Sequence, residues 1–327
     1  MEFLKPCLDS VFAQHFDGLE VIVVDNGSVD ESVSFIKDNY KDVKLVELKR
    51  NLGFAGGNNR GLEAATGEFI LTLNNDTVLK EGFFDSLVKS VQSSSDDTGM
   101  WAVKILSIDD KSSIDSVGGL LMYPDGLCRG RGRGEKDEGN YDSLSEILFP
   151  SACAAIYRKS MLSECGFFDE SFFAYCEDSD LGLRCRQAGW KALSVPDAVV
   201  YHHYSGTAGK YSPFKAYLVE RNRMWLVIKN FSLPSVLMSF YYTFKRYFYQ
   251  LIAVIKGKGA AGKFTEKSSF FGIILIMLKA YFMTLIFLPF LILKRLKISH
   301  IKKVPSAEMK KLLSSHSLSA EDIAFKE

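Results

Sequence analysis

Residues 19–28 read LEVIVVDNGS, a short and mostly β-branched run that ends in an Asp-Asn-Gly-Ser turn. β-Branched side chains favour the pleated sheet, and the turn residues interrupt it, so the run predicts a short strand. A helix is expected from about Asp30, whose side chain can cap its first turn. The stretch therefore predicts a strand that ends in a polar loop and leads into a helix.

The same unit recurs downstream. Residues 43–48 and 68–73 predict two further strands, with a helix between them at 54–65. Strand–helix–strand repeats of this length predict a parallel α/β sheet whose binding crevice lies at the carboxyl ends of the strands. Polar clusters follow all three strands: Asp25-Asn26, NLGFAGGNNRG at 51–61 and Asn74-Asn75-Asp76. Each alone could be a turn, a loop or a strand terminator, but their convergence on one edge favours a binding site.

The composition predicts a globular chain, with 47% hydrophobic and 24% charged residues among 327. The net charge of +1 conceals an asymmetry, because 221–313 contains 17 Lys or Arg residues and two acids. Six cysteines form no CxxC pair, and no secretory signal is visible at the printed N-terminus. These features predict a reducing, cytoplasmic compartment.

Residues 173–184 read FAYCEDSDLGLR and place Glu177, Asp178 and Asp180 among apolar neighbours. The apolar residues that follow recur at helical spacing: Leu181, Cys185 and Ala188. Asp178 is therefore expected at or near a helix N-terminus, where free N–H groups stabilise a carboxylate. Asp180 lies four residues before Arg184, the spacing of an intrahelical ion pair. A charged helix cap without chemistry is the alternative for Asp178.

Five stretches together resemble glycosyltransferase family 2, especially its rhamnosyltransferase-like bacterial members. They are VVDNGSVDES at 23–32, NLGFAGGNNRG at 51–61, LNNDT at 73–77, GFFDESFFAYCEDSDLGLRCRQAGW at 166–190 and YHHYSGTAG at 201–209. The resemblance spans roughly residues 1–230 in the family's order. It implies a nucleotide-sugar-binding α/β domain of the GT-A type, with a mixed, mainly parallel sheet, and a reaction that inverts the anomeric centre.

The resemblance also implies roles for particular residues. Asp178 corresponds to the general base, and Glu177 would help to place the acceptor or the base. Asp76 would reach a Mg²⁺ or Mn²⁺ ion that bridges the two donor phosphates. His202 would complete the metal site, although it could instead be a histidine packed beside Tyr201 and Tyr204.

The nucleotide-sugar donor would be bound by residues of the three polar clusters. Asp25 corresponds to the acid that holds the nucleotide base. The other donor-binding candidates are Asn26, Asn51, Gly53, Asn58, Asn59 and Asn74. Because Asn74 replaces the first acid of the usual Asp-x-Asp, weak metal affinity is expected.

The sequence departs from the family at its start. Members begin with a β-strand and an Asn-containing turn ahead of the stretch that resembles residues 2–14. The expectation is therefore that this strand is missing, because the true start lies upstream or because the chain is damaged. A strand left without its neighbour would expose unpaired backbone groups.

The last part of the chain, 231–327, is expected to be a basic, apolar helical tail that follows the domain at 1–230. Residues 240–255 are aromatic-rich but contain Lys245-Arg246, which suits an interfacial helix. Residues 268–293 are nearly long enough to span a bilayer and are followed by KRLKISHIKK. A peripheral platform on an anionic membrane surface, a single span and a buried helix all remain open.

The Gly-rich, charged stretch 124–143 is expected to be a mobile loop on the acceptor side. It lacks the interleaved aromatic residues of an RNA-binding segment and contains five acids, so no nucleic-acid partner is expected.

These features predict an inverting, metal-dependent glycosyltransferase at the cytoplasmic face of the bacterial plasma membrane. It would move a sugar, with rhamnose as a candidate, from a nucleotide diphosphate to a hydroxyl of a lipid-linked glycan or growing surface polysaccharide. The alternative is a catalytically inactive, membrane-associated subunit that binds nucleotide sugars, and a nucleotidyltransferase is a weaker third.

Overall fold

A computed structural model describes residues 2–203, 212–259 and 270–326. The strands are β1 (Ile22–Asp25), β2 (Lys44–Glu47), β3 (Phe69–Leu73), β4 (Thr77–Leu79), β5 (Thr98–Ser107), β6 (Ile114–Ser116), β7 (Leu120–Met122), β8 (Cys128–Gly130), β9 (Ala154–Arg158) and β10 (Lys191–His202). The helices are α1 (Leu4–Phe12), α2 (Ser32–Asn39), α3 (Gly53–Ala64), α4 (Phe83–Gln92), α5 (Lys159–Cys165), α6 (Glu177–Gln187), α7 (Pro213–Asn230), α8 (Leu233–Ile255), α9 (Phe270–Ile301), α10 (Ser306–Ser315) and α11 (Ala320–Phe325). A 3₁₀ turn at Glu170–Phe172 precedes α6. The strands and helices predicted around the three polar clusters are all present, with ends that differ by up to three residues.

The main sheet has the order β3-β9-β5-β10-β4, with β6 added to β5. The ladder between β5 and β10 is parallel, whereas β9 runs antiparallel to both β3 and β5. The mixed α/β sheet is confirmed, but its parallel share is smaller than expected. One reason is that β6 follows β5 through a short connection, and a parallel neighbour would need a longer crossover. The centre of the sheet is buried, since all residues of β5 except the last are buried.

The first two strands lie outside this sheet. β1 and β2 pair in parallel as a separate two-stranded sheet, from Ile22 opposite Lys44 to Asp25 opposite Glu47. Among the residues that the structure describes, β1 pairs only with β2 and β3 only with β9. Each therefore has one edge without a ladder, and the apolar side chains of β3 are largely half-buried.

The stretch 124–143, expected to be a mobile loop, contains the strand β8, which pairs with β7. Its acids are engaged as well. Asp137 and Asp142 both bind the buried ammonium group of Lys104, at 3.0 and 2.7 Å. Apart from β8 and a single bridge at Lys136, the stretch consists of turns and bends, as expected of a loop. The ion pairs with Lys104 anchor it, and no local pattern in the sequence reveals so distant a cation.

The C-terminal helices pack on the α/β part of the chain. Trp225 of α7 donates its indole N–H to Thr284 of α9 at 3.2 Å, and its ring lies 5.1 Å from that of Phe287. Arg246 of α8 binds the fully buried Asp125 at 2.6 Å. Buried contacts therefore cross the boundary expected at residue 230, and the division into two domains stays a prediction.

Candidate active site

The end of β1 is tied to the start of α3 by Asn26. Its Oδ1 accepts the Leu52 N–H at 2.8 Å, and its Nδ2 donates to the Gly53 carbonyl at 2.9 Å. Asp25 is buried beside it and accepts the Ser28 N–H at 3.1 Å. Two of the three predicted polar clusters thus form one surface at the carboxyl ends of β1 and β2.

The start of α3 also contacts the loop that precedes α6. Gly53 has φ +76°, and Asn51 Oδ1 accepts its N–H at 2.8 Å. A Cβ at Gly53 would overlap the carbonyl and ring of Phe173, so glycine is required for this close approach. The Ala55 N–H then donates to the Phe173 carbonyl at 3.1 Å. The expected donor loop and the expected base are therefore neighbours.

Two of the donor-binding candidates use their side chains within the protein. Asn58 donates to the Phe54 carbonyl one turn earlier, at 2.9 Å. Asn59 donates to the Phe168 carbonyl at 2.9 Å and accepts the Phe168 N–H at 3.2 Å. The Asn59 contacts hold α3 against the segment before α6, whereas the Asn58 contact lies within α3. Donor binding by Asn58 and Asn59 stays a prediction.

The third cluster brings a carboxylate and an imidazole together. Asp76 is buried, and its Oδ1 accepts no hydrogen bond from any residue that the structure describes. His202, at the end of β10, places Nε2 3.5 Å from that oxygen. Asn74 lies at the same corner, where its N–H donates to the Cys153 carbonyl at 2.8 Å.

Asp115 of β6 is a site residue that the sequence did not indicate. Its Oδ2 lies 2.7 Å from Nδ1 of His202, which turns Nε2 toward Asp76. Burial opposes the charged imidazolium, but Cys153, Asp115 and Asp76 around it raise the pKa of His202 to about 12. No motif surrounds Asp115, and 87 residues separate it from His202, so no local pattern could have found it. Tyr204, part of the packing alternative for His202, lies outside the described residues.

The acids of residues 177–180 have different surroundings. Asp178 lies in the first turn of α6 and is partly exposed. Its Oδ1 accepts the Ser179 N–H at 2.6 Å, and its Oδ2 accepts the Ala152 N–H at 3.3 Å. Glu177 is buried, and its Oε2 accepts no hydrogen bond among the described residues. Asp178 is thus the residue of this pair that is only partly buried, and its carboxylate binds two N–H groups.

The two neighbouring acids do not share the same protonation behaviour. Burial raises the pKa of Asp178, but the N–H groups of Ala152 and Ser179 oppose that rise. Burial, reinforced by the charge of Asp178, raises the pKa of Glu177 well above its usual range. Because close carboxylates disfavour a double negative charge, the pair favours an ionised Asp178 beside a protonated Glu177.

Asp180 has a structural role, as its spacing predicted. It is fully buried and accepts from Arg184 Nε at 3.0 Å. Lys229 of α7 binds its other oxygen at 2.8 Å. Asp180 therefore anchors α6 and faces no open crevice.

One short segment links the base candidate to the metal candidates. The Ala152 N–H binds Asp178, and the next carbonyl, that of Cys153, accepts the Asn74 N–H. Together with the contact between Phe173 and α3, this segment links all three polar clusters to Asp178. The arrangement could hold a diphosphate, a divalent cation and a hydroxyl nucleophile.

Known proteins are similar to this chain in sequence and in fold. The sequence model described as "Glycosyl transferase family 2" matches residues 1–166, which is half of the chain. N-acetylglucosaminyl-diphospho-decaprenol L-rhamnosyltransferase of Mycobacterium tuberculosis is 25% identical over 228 residues, covering 59% of this chain and 69% of that protein.

Two solved structures share the fold at low identity. The mannosyltransferase PcManGT of Pyrobaculum calidifontis, solved with GDP-Man and Mn²⁺, aligns over 96% of this chain and 80% of its own, with 15% identity and a TM-score of 0.51. GalNAc-T7, solved with UDP, GalNAc and Mn²⁺, aligns over 71% of this chain and 50% of its own, with 16% identity and a TM-score of 0.51. The α/β fold is that of the GT-A glycosyltransferases, and the chain belongs to glycosyl transferase family 2.

Proposed function

We propose that this glycosyltransferase transfers a sugar, with inversion, from a nucleoside diphosphate to a hydroxyl of a lipid-linked glycan. The observation that carries the proposal is the position of Asp178. Its carboxylate is held by backbone N–H groups at the start of α6, and residues 152–153 link it to the corner that contains Asn74, Asp76 and His202.

In the proposed reaction, Asp178 takes the proton from the acceptor hydroxyl while that oxygen attacks the anomeric carbon. The new carbon–oxygen bond forms on the face opposite the diphosphate, and the bond from that carbon to the phosphate oxygen breaks. The electron pair leaves with the nucleoside diphosphate. Because the neighbouring Glu177 already carries a proton, Asp178 is the carboxylate of the pair that takes the proton of the hydroxyl.

The residues at the crevice fit a divalent cation. Asp76 Oδ1 is a buried carboxylate oxygen without a hydrogen-bond partner in the described residues, and His202 Nε2 lies next to it. The ranges 2–203, 212–259 and 270–326 contain no group of three His, Cys, Asp or Glu side chains that could hold a metal ion. The protein would supply Asp76 and, once the cation displaced the proton from its Nε2, His202, while diphosphate and water would complete the coordination. A bound Mg²⁺ or Mn²⁺ would stabilise the charge on the departing diphosphate, and the oxygens of Asp76, diphosphate and water suit either ion.

The donor and acceptor are proposed from the relatives. The mycobacterial relative is by name an L-rhamnosyltransferase that acts on a diphospho-decaprenol-linked N-acetylglucosamine. A nucleoside diphosphate rhamnose and a polyprenyl-diphosphate sugar are therefore the first substrates to test. Asp25 is proposed to hold the base and Asn26, Asn51, Gly53 and Asn74 to shape the donor loop.

A lipid-linked acceptor requires access to a membrane, and α8 and α9 offer an apolar surface. Residues 271–301 form a helix that is long and apolar enough to cross a bilayer. Within its most apolar 18-residue stretch, 11% is buried inside the protein. On α8 a stripe of large apolar residues is exposed: Leu237, Phe240, Tyr241, Phe244, Phe248, Leu251 and Ile255. Basic residues follow on the C-terminal side of α9, which suits anionic lipid.

The contacts of α9 favour attachment along the membrane surface over a span. Thr284 binds Trp225, and Arg295 donates to the Ile228 carbonyl at 2.7 Å, so this half of α9 is fixed to α7. Residues 270–280 alone are too short to cross the hydrocarbon core, which needs about 20 residues. We therefore propose peripheral attachment at the cytoplasmic face.

The test is an assay of the purified full-length protein with a panel of nucleoside diphosphate sugars, a polyprenyl-diphosphate N-acetylglucosamine acceptor and Mn²⁺. We expect nucleoside diphosphate release that requires the acceptor, and a product whose anomeric configuration is inverted by NMR. A retained configuration would exclude Asp178 as the base of a single displacement. Donor binding without any release would favour the non-catalytic subunit.

A further inference from the structure

The loop that leads into the base helix has an unusual backbone. Phe173, Tyr175 and Cys176 have φ values of 66°, 69° and 67°, a left-handed region that side chains with a Cβ disfavour. At Phe173 the ψ is −64°, and the Ala174 N–H donates to the Phe172 carbonyl at 2.8 Å, which closes a tight three-residue turn. Three such residues immediately before Glu177 and Asp178 need an external support.

Most of that support comes from one fully buried side chain of α7, while the neighbouring Arg221 donates to the carbonyls of Ser171 and Phe172. Asn222 Nδ2 donates to the carbonyls of Phe172, Ala174 and Tyr175 at 2.9, 2.8 and 2.8 Å. Its Oδ1 accepts from Arg221 Nε at 2.9 Å, which fixes the orientation of the amide. The two N–H groups of a single amide thus bind three carbonyls on both sides of the turn.

The supported loop lies between the two halves of the proposed site. On one side, the Phe173 carbonyl accepts the Ala55 N–H at the start of α3. On the other side, Cys176 directly precedes the first turn of α6, which contains Asp178. Any relaxation of the turn would move α6 relative to the donor loop.

We propose that Asn222 is a positioning residue: it holds the turn at 172–176, with its three positive-φ residues, and so sets the distance between Asp178 and the donor loop. The proposal rests on the proposed function of Asp178. Asn222 lies 44 positions after Asp178, on a different helix, and acts only through the loop backbone.

The test compares Asn222→Asp with Thr284→Val in the full-length protein. Asn222→Asp keeps the shape of the side chain but replaces its N–H donors with an oxygen that faces three carbonyls. Thr284→Val removes a different buried hydrogen bond to α7, that with Trp225, and removes none of the hydrogen bonds that Asn222 makes to the loop. We expect kcat to fall by ~10- to 100-fold in Asn222→Asp, with the donor KM changed by less than about threefold, a range typical of lost positioning. Equal losses of kcat in the two variants would reduce Asn222 to a structural residue.

A rescue variant tests the mechanism itself. Glycine adopts the left-handed conformation without a penalty. The kcat of the double variant Asn222→Ala with Cys176→Gly should therefore be at least about threefold higher than that of Asn222→Ala alone. The single Cys176→Gly variant closes the double-mutant cycle. Additive effects of the two substitutions would overturn the proposal.

Hydrogen exchange gives a readout that does not depend on turnover. Amides of residues 174–179 should exchange at least about tenfold faster in Asn222→Asp than in the unaltered protein or Thr284→Val. If the unaltered protein releases no nucleoside diphosphate, the proposed function fails, but the exchange data still test whether Asn222 holds the turn at 172–176. Unchanged exchange in Asn222→Asp would overturn that role of Asn222 even in an active enzyme.

Discussion

Asp178 is the residue whose replacement has the sharpest expected effect. Asp178→Asn keeps the size of the side chain but cannot take a proton, so we expect turnover to fall by at least about 100-fold. Folding and donor binding should persist, since the donor candidates lie on other elements. Steady-state rates, donor titration and a thermal melt of the same preparation measure all three. Near-normal turnover would remove Asp178 from the mechanism.

Glu177 is expected to tolerate replacement far better than Asp178. Because burial and Asp178 hold the pKa of Glu177 well above its usual range, glutamine copies its protonated form. We expect Glu177→Gln to retain turnover within about fivefold, and Asp178→Asn is the matched comparison. A loss in Glu177→Gln as large as that in Asp178→Asn would assign the base to Glu177.

The raised pKa values of these acids also give a pH dependence with a definite sign. Asp178 must be ionised to accept a proton, so kcat should fall toward acid at a pH above the ordinary aspartate value of 3.8. Glu177 binds its proton more tightly in the folded state, so this residue lowers folding stability as pH rises above 4.5. The melting temperature of Glu177→Gln should therefore rise relative to that of the unaltered protein as the pH increases from about 5 to about 8. A constant difference across this range would contradict a buried, protonated Glu177.

Asp76 is the residue that tests the metal. Asp76→Ala removes the only carboxylate proposed as a ligand, so Mn²⁺ should no longer strengthen donor binding. Calorimetric titration of the donor with and without Mn²⁺ measures this, and Asn75→Ala, an exposed neighbour, is the control. The metal role is wrong if Mn²⁺ has the same effect on donor affinity in Asp76→Ala as in the unaltered protein.

At the scale of elements, α7 and α8 are joined to the 124–126 turn by buried charges. Arg246 binds Asp125 at 2.6 Å and Glu220 at 3.1 Å, and Arg223 also binds both acids. Removing one partner of a buried ion pair leaves the other charge uncompensated. This network ties α7 and the start of the tail to the α/β part of the chain.

The network predicts a large loss of stability on removal of Arg246. Arg246→Met should lower the free energy of unfolding by about 3–5 kcal/mol, measured by denaturant unfolding. Lys245→Met, an exposed neighbour on the same helix, is the control and should change it by less than about 0.5 kcal/mol. Equal stabilities would mean that α8 folds independently of Asp125.

At the scale of the whole molecule, the apolar faces of α8 and α9 predict sedimentation with anionic vesicles. Each Lys or Arg near the surface adds about 1 kcal/mol of attraction, so high salt should release a peripherally attached protein. Phe244→Ser with Phe248→Ser should weaken sedimentation at low salt, and Val29→Ser, an exposed apolar residue of the α/β part, should not. Retention at high salt would indicate a span, and no binding at low salt would exclude both forms of membrane attachment.

The sequence by itself determined the local elements and the composition of the crevice. β-Branched runs, turn residues and helical spacing depend on neighbours within a few positions, so β1, α3, β3 and α6 were predicted with small errors at their ends. The polar clusters were expected at one edge because parallel strands end there. The pairing of Asp180 with Arg184 was also accessible, since both lie on one helix.

Tertiary structure alone decided which distant groups support these elements. Asp115 orients His202, Asn222 holds the turn at 172–176, and Asp125 binds Arg246, each pair separated by about 50 residues or more. A buried polar group can be satisfied by any partner that the fold brings near, and local periodicity carries no information about that partner. The sequence therefore indicated the acids that could do the chemistry and the structural role of Asp180, and the packing of the helices and strands decided how the other acids are held and which distant groups surround them.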